Sequence, residues 1–304
     1  MGKLKNVLLT GATGFVGSHL LSSLIKNGYL VIAYLRPASN DFKIGHLKNN
    51  YSSFVTPDNS QQQIETLFEK YQIEAVVHTA TEYGREKSLS AVIETNVLFP
   101  LRLLEVGIKN GLKLFINTDT FFGKKDFELQ YLNNYVTSKR LLESLIPEFS
   151  NLTKIANFRL EHVYGENDSE AKFVTTVLKQ CIKNSKVIDL TEGLQKRDFI
   201  YIDDVVDAYI TILNNEHLIS GYKEYEVGTG TSVTVRDFVS AIGELSESKT
   251  LLNFGAIPER IGEIKDSFAD INLLKSLGWQ PKFDMRSAIN KILKIEKKRF
   301  INEI

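Results

Sequence analysis

A phenol and an amine four residues apart open the chemical reading. Tyr135-Val136-Thr137-Ser138-Lys139 lies in a stretch whose pattern predicts a helix over Asn133–Ile146, and a spacing of four puts Tyr135 and Lys139 on one face of it. An ammonium beside a phenol favours the phenolate and draws its pKa down from about 10. A tyrosine so placed exchanges a proton with a carbonyl or alcohol oxygen while hydride moves at the carbon. The same spacing recurs at Tyr83 and Lys87, so spacing alone decides nothing. Only Tyr135 stands one helix beyond a strand that runs into a hydroxyl cluster, Asn117-Thr118-Asp119-Thr120-Phe121-Phe122-Gly123.

A second constellation concerns phosphate. Thr10-Gly11-Ala12-Thr13-Gly14-Phe15-Val16-Gly17 follows the first apolar run and opens the first helical one. Gly11 permits the sharp turn, Gly14 admits close approach of a pyrophosphate, and Gly17 lets helix and strand pack. The free N–H groups and positive end of the helix then face the phosphates. Gly11, Thr13, Gly14, Phe15, Val16 and Gly17 are therefore the expected dinucleotide contacts. An NAD site places an acid about 20 residues on, for the ribose 2′-hydroxyl. Here the second strand leads into Tyr34-Leu35-Arg36-Pro37, with no acid and with Arg36 beside its place. A guanidinium there forks onto the 2′-phosphate of NADP; the alternative is a solvated surface arginine. The expectation is NADP(H) in preference to NAD(H), with NAD(H) the other option.

These residues need a scaffold that carries them at strand and helix ends. Strands are predicted at Asn6–Thr10, Tyr29–Tyr34, Tyr51–Val55, Ala75–His78, Lys113–Asn117 and Lys154–Arg159. Helices are predicted at Phe15–Asn27, Gln61–Tyr71, Ser88–Asn110 (kinked at Pro100) and Asn133–Ile146. Such alternation specifies an α/β, Rossmann-type, doubly wound parallel sheet. After Tyr164-Gly165 the rhythm changes. Helices at Ala171–Asn184, Asp203–Leu213, Val235–Leu245 and Asp284–Phe300 alternate with short strands at Val187–Leu190, Asp198–Tyr201 and Glu224–Val227. The expected division is a nucleotide-binding domain over 1–165 and a smaller C-terminal α/β substrate lobe over 166–304, with some strand exchange between them.

Composition removes several other classes. The 304 residues are 43% hydrophobic, enough for one large α/β unit with an appended lobe or for two small domains. Basic and acidic residues balance at 37 each, so no long-range field captures nucleic acid. One cysteine, Cys181, excludes an internal disulfide framework and fits a reducing cytoplasm. The run Val7-Leu8-Leu9 is too short for a signal core or a membrane span. No metal-ligand spacing stands out, and no metal is expected.

With those residues in place the chain resembles an extended short-chain dehydrogenase/reductase of the nucleotide-sugar type. The matching pieces are the Gly11/Gly14/Gly17 turn, Val77-His78-Thr79-Ala80, Asn96, Thr118 with Tyr135 and Lys139, and Arg159 to Gly165. Arg197-Asp198-Phe199, Asp203-Asp204-Val205 and Gly278-Trp279-Gln280-Pro281 continue the match, so it covers nearly the whole chain in order. The resemblance implies that Thr118 bonds the reacting sugar oxygen, Tyr135 donates the proton, and Lys139 holds the nicotinamide ribose. It further implies that Ala80 lines the cofactor groove and that Arg197 and Arg260 grip a sugar-nucleotide diphosphate, surface charge being the alternative for each arginine. His162 stands where many relatives carry an Asn; it either donates to the diphosphate or supports the fold. Glu82 and Tyr83 follow the fourth strand, where substrate contacts and ordinary loop residues are both expected.

The resemblance leaves several reactions to separate. The 4,6-dehydratases of this type carry Thr-Asp-Glu after the fifth strand, where Thr118-Asp119-Thr120 keeps the Asp and lacks the Glu. No obvious base then stands beside the keto group. A reductase fits best, with an NAD-dependent 4-epimerase and a non-catalytic NADP sensor as rivals. Ala80-Thr81-Glu82-Tyr83-Gly84, Asn117 to Phe122, Lys124-Lys125-Asp126-Phe127, Arg159 to Gly165 and Phe254-Gly255-Ala256-Ile257 narrow it further. They are similar to the bacterial CDP-abequose and CDP-paratose synthase group, which reduces C4 of a CDP-linked 4-keto-3,6-dideoxyhexose for O-antigen sugars. That implies Asp119 and Thr120 as further substrate contacts, a CDP- or dTDP-linked substrate, no nucleic-acid or membrane partner, and a homodimer as one option.

Overall fold

A computed structural model describes residues 4–124 and 132–301. Lys125-Asp126-Phe127, part of the resemblance above, lies outside the described residues. The first half follows the predicted alternation. Strand β1 (Asn6–Thr10) leads through the glycine turn into α1 (Phe15–Lys26), then β2 (Leu30–Leu35), β3 (Ser52–Val55), α2 (Gln61–Lys70) and β4 (Ala75–His78). Next come α3 (Leu89–Ile93), a widened π turn over Glu94–Leu98, and α4 (Phe99–Lys109). Pro100 sits directly after this π turn, in the first turn of α4, and has no N–H to donate back into the turn before it. Then follow β5 (Leu114–Thr120), α5 (Asn133–Leu145), β6 (Lys154–Leu160) and β7 (His162–Tyr164).

The remaining elements are α6 (Phe173–Ile182), β8 (Val187–Leu190), β9 (Lys196–Arg197), β10 (Phe199–Tyr201), α7 (Ile202–Asn214), β11 (Tyr222–Val227), β12 (Val233–Thr234), α8 (Val235–Leu245), β13 (Leu251–Phe254), α9 (Asn272–Ser276) and α10 (Met285–Ile301). The main sheet has seven strands in the order β11-β6-β5-β4-β1-β2-β3. The pairs β1–β2, β1–β4, β2–β3 and β4–β5 are parallel. The order reverses between β1 and β4, the topological switch at which open α/β sheets bind ligands. Central strands read as continuous apolar runs because both faces are covered: Val7, Leu8, Leu9, Val76, Val77, Phe115 and Ile116 are fully buried.

By contacts the chain forms two compact units. Among the described residues the first holds 4–124, 132–159 and 206–225, and the second holds 160–205 and 226–301. The contact boundary therefore lies near residue 160, and a later segment, 206–225, returns to the first unit. The second unit carries three two-stranded pairings, β10–β7, β12–β9 and β13–β8. Two motifs of the resemblance meet inside it. The Asp204 side chain accepts from Lys282 N at 2.9 Å and Phe283 N at 3.2 Å, while the buried Trp279 indole donates to Asp204 O at 3.1 Å. The buried Asp198 carboxylate accepts from Thr229 N, Thr229 Oγ1, Gly230 N and Ala269 N between 2.7 and 3.1 Å. These two aspartates tie loops together, which is why the motif needs acids there. Among the described residues no helix is long and apolar enough to cross a membrane.

Candidate active site

The glycine turn is built by steric necessity. Gly14 N donates to Gly11 O at 2.9 Å, and Gly11 has φ +69°, where a Cβ would also lie 2.7 Å from Ala80 N. At Gly17 a Cβ would fall 2.1 Å from Gly11 O, so helix and turn close up only on glycine. Thr10 Oγ1 receives Thr79 N at 3.2 Å and Ala80 N at 3.3 Å, which leaves its proton for His78 Nδ1 at 2.9 Å. Burial holds His78 neutral, its pKa down at about 3. The ends of β1 and β4 are thereby pinned together, and Ala80 is placed beside Gly11.

The first turn of α1, Phe15-Val16-Gly17, has neither a side-chain cap nor an acid. By contrast α2, α3 and α8 are capped by Ser60, Ser88 and Thr234. Helix N–H groups left without a cap, above a turn too tight for any Cβ, suit the pyrophosphate of a dinucleotide. Thr13 is half-buried and Gly14 exposed in this cradle. Arg36 is exposed and is the first residue past β2.

The second cluster lies where β5 meets α5. Strand β5 runs three residues further than its expected end at Asn117, so Thr118, Asp119 and Thr120 belong to the strand. Pleat alternation then sends Thr118 and Thr120 to one face and Asp119 to the other. Lys139 Nζ donates to Thr118 O at 2.7 Å and to Thr81 Oγ1 at 3.1 Å. Burial lowers the Lys139 pKa to about 8, with Asp119 opposing. Tyr135 is 6% exposed, and the neighbouring Thr120 side chain favours its ionised form only weakly against that burial.

The expected acidification of Tyr135 by Lys139 is not what the free chain displays. Burial, with a smaller contribution from Tyr83, pushes the Tyr135 phenol well above its ordinary value. The physical reason is burial: taking the phenol out of water penalises the phenolate more than its neighbours favour it. A phenol held this way stays protonated and is a proton donor.

Asp119 is 3% exposed. It accepts from Thr120 N at 2.8 Å and from Asn157 Nδ2 at 3.2 Å, with Arg159 at 3.9 Å. Arg159 also pairs with Glu143 at 2.7 Å and Glu224 at 2.8 Å. Asp119 thus faces a buried polar network behind the strand. Glu82 and Tyr83 lie in the loop after β4. Asn96, fully buried, receives Glu82 N at 2.8 Å and donates to Glu82 O at 2.8 Å and to Ser138 Oγ at 2.9 Å. The Tyr83 ring packs on the Tyr135 ring at 4.9 Å.

Three expected substrate residues belong to the second unit. His162 opens β7, with N bonded to Asp198 O at 3.0 Å, and burial beside Arg197 takes its pKa down to about 3. A neutral ring follows. Arg197 is 3% exposed, and its guanidinium donates to Lys196 O at 2.7 Å, to Ile264 O at 2.6 Å and to Glu263. Arg260 is exposed, in the loop after β13.

Several site neighbours escape a reading of the sequence. Thr81 supports Lys139, Ser138 anchors α5 by accepting from Asn96 Nδ2 at 2.9 Å, and Tyr209 Oη lies 2.7 Å from Thr118 Oγ1. For Ser138 the available signal is its place on the same helix turn as Tyr135. Tyr209 is 91 residues from Thr118, and no spacing rule reaches that far.

Residues 7–228 match the NAD dependent epimerase/dehydratase family. Over 298 residues the chain is 39% identical to a CDP-abequose synthase of Salmonella typhimurium, covering 95% of this chain and 97% of that protein. It is 41% identical to a CDP-abequose synthase of Salmonella muenchen, again over 298 residues, covering 96% and 98%. Among solved structures it is similar to the UDP-glucose 4-epimerase of Thermotoga maritima with UDP-glucose, at TM-score 0.82, 26% identity and coverage of 97% and 99%. On this evidence the chain belongs to the NAD dependent epimerase/dehydratase family, within the extended short-chain dehydrogenases/reductases.

Proposed function

We propose that the chain reduces the C4 keto group of a CDP-linked 4-keto-3,6-dideoxyhexose with NADPH, and that dTDP-linked and 6-deoxy counterparts are the neighbouring substrates. The observation that carries this reading is the end of β5. A protonated Tyr135, Lys139 and the Thr118 hydroxyl are collected there. The positions from which a dehydratase would draw its carboxylates hold Thr120 and a buried, hydrogen-bonded Asp119. Two full-length relatives that are CDP-abequose synthases support the choice of sugar nucleotide.

Bound NADPH supplies the hydride to the carbonyl carbon. Tyr135 gives its proton to the oxygen as negative charge develops there, and Thr118 donates a hydrogen bond to the same oxygen. Lys139 holds Thr118 through its carbonyl and, with cofactor present, bonds the nicotinamide ribose. The turn Gly11 to Gly17 takes the pyrophosphate, Ala80 lines the groove, and Arg36 forks onto the 2′-phosphate. His162, Arg197 and Arg260 serve the sugar-nucleotide diphosphate. The step belongs after loss of the C3 hydroxyl, in supply of deoxysugars for surface polysaccharide, and takes place in the cytoplasm.

The test is incubation with NADPH and a panel of CDP- and dTDP-linked 4-keto sugars, with NMR of the products. The expected result is NADPH consumption with a new C4 hydrogen, fastest on the CDP-linked 3,6-dideoxy sugar. Protein purified with stoichiometric bound NAD, turning over a UDP-sugar without added NADPH, overturns it in favour of an epimerase. Arg36→Asp is expected to lower the NADPH-to-NADH ratio of kcat/KM by at least about tenfold, the worth of a charged hydrogen bond; an unchanged ratio removes Arg36 from the cofactor site.

A further inference from the structure

Thr118 is held twice, by two different side chains. Its carbonyl accepts from Lys139 Nζ at 2.7 Å, and its hydroxyl oxygen lies 2.7 Å from Tyr209 Oη. Tyr209 is on α7 and fully buried. Its ring is wedged against Phe158 of β6, centroids 4.5 Å apart. Among the described residues Thr118 is the one hydrogen-bond partner the structure gives the Tyr209 hydroxyl. A phenol is a stronger acid than an aliphatic alcohol, so in a pair of hydroxyls the phenol is the better donor. Burial raises the Tyr209 pKa and keeps that proton in place.

The direction of this bond decides what Thr118 can do. A threonine hydroxyl has one proton. If Thr118 gave it to Tyr209, none would remain for a substrate oxygen. With Tyr209 donating, the Thr118 proton is free and its χ1 rotation is fixed. We propose that Tyr209 is a positioning residue: it donates into the Thr118 hydroxyl oxygen, locks that side chain in one rotamer, and leaves its proton for the carbonyl oxygen being reduced. The chemical part rests on the reductase reading above; the locking part does not.

Tyr209→Phe keeps the ring against Phe158 and removes only the oxygen. In the full chain with NADPH and the CDP-linked keto sugar, kcat is expected to fall about tenfold, the worth of one hydrogen bond at the upper end, with KM within about twofold. In a Thr118→Ala background the same change should alter kcat by less than about twofold, because the hydroxyl it positions is gone. An unchanged kcat, or an equal loss in both backgrounds, overturns the proposal. A second readout needs no turnover. Three-bond couplings to the Thr118 methyl carbon should report one rotamer in the parent chain and averaging in Tyr209→Phe. Identical couplings in both proteins overturn the locking. Averaging in the variant from a parent chain that consumes no NADPH breaks the reductase reading and leaves the locking intact.

Discussion

Two tyrosine–lysine pairs with the same spacing lie in the first unit, and their tyrosine rings touch at 4.9 Å. Tyr135 and Lys139 are 6% and 2% exposed, on an unbroken helix. Tyr83 is 40% exposed and Lys87 is exposed as well. Between Tyr83 and Lys87 the backbone takes φ +72° at Gly84 and +58° at Glu86, so no helix forms and the two side chains share no face. The difference teaches that the helix and the burial, rather than the spacing, give the first pair its chemistry. Desolvation draws Lys139 down to about 8 and lifts Tyr135.

Substitutions on both pairs sharpen the contrast. Tyr135→Phe should lower kcat by roughly a thousandfold, the range of a lost general acid, while Tyr83→Phe changes it less than about threefold, since the ring contact with Tyr135 survives. Equal effects in steady-state assays would erase the distinction. Next in size, Lys139→Met should cost about a hundredfold and Lys87→Met nothing measurable. Lys139 carries its charge below about 8, so kcat/KM should hold below that pH and decline as pH rises through it. Lys87→Met should keep this decline; a profile flat to pH 10 would remove Lys139 from the reaction. The stability term has the opposite sense. Folding disfavours the charged amine, a cost that is full below about 8 and eases as pH rises toward the ordinary 10.5. The smallest effect belongs to the anchor of α5. Ser138→Ala removes the acceptor of the buried Asn96 amide and should cost about 1–2 kcal/mol in urea unfolding, with kcat little changed.

Much of the first unit was readable because its strands are buried on both faces. β1 and β4 lie where the apolar runs put them, and α1, α2 and α5 differ from their expected ends by a residue. β5 runs past its expected end at Asn117 because Thr118 and Thr120 are β-branched residues that suit a strand. In the second unit β7, β9, β12 and β13 were not foreseen. Two to four residues carry no usable alternation, and such pairs form only because distant segments supply the partner. The glycine turn was legible from covalent geometry alone. The direction of the Tyr135 shift was not, because it depends on how deeply the folded chain buries the phenol, which a spacing of four does not reveal.

The π turn at Glu94–Leu98 sets the angular position of everything that rides on it. A turn of that kind holds one residue more than regular helix. Asn96 rides on it and meets Glu82 and Ser138 from that position. Removing one residue between 94 and 98 would tighten the turn to ordinary helix pitch and swing that amide by about 100°. The loop after β4 would then lose its tether to α5.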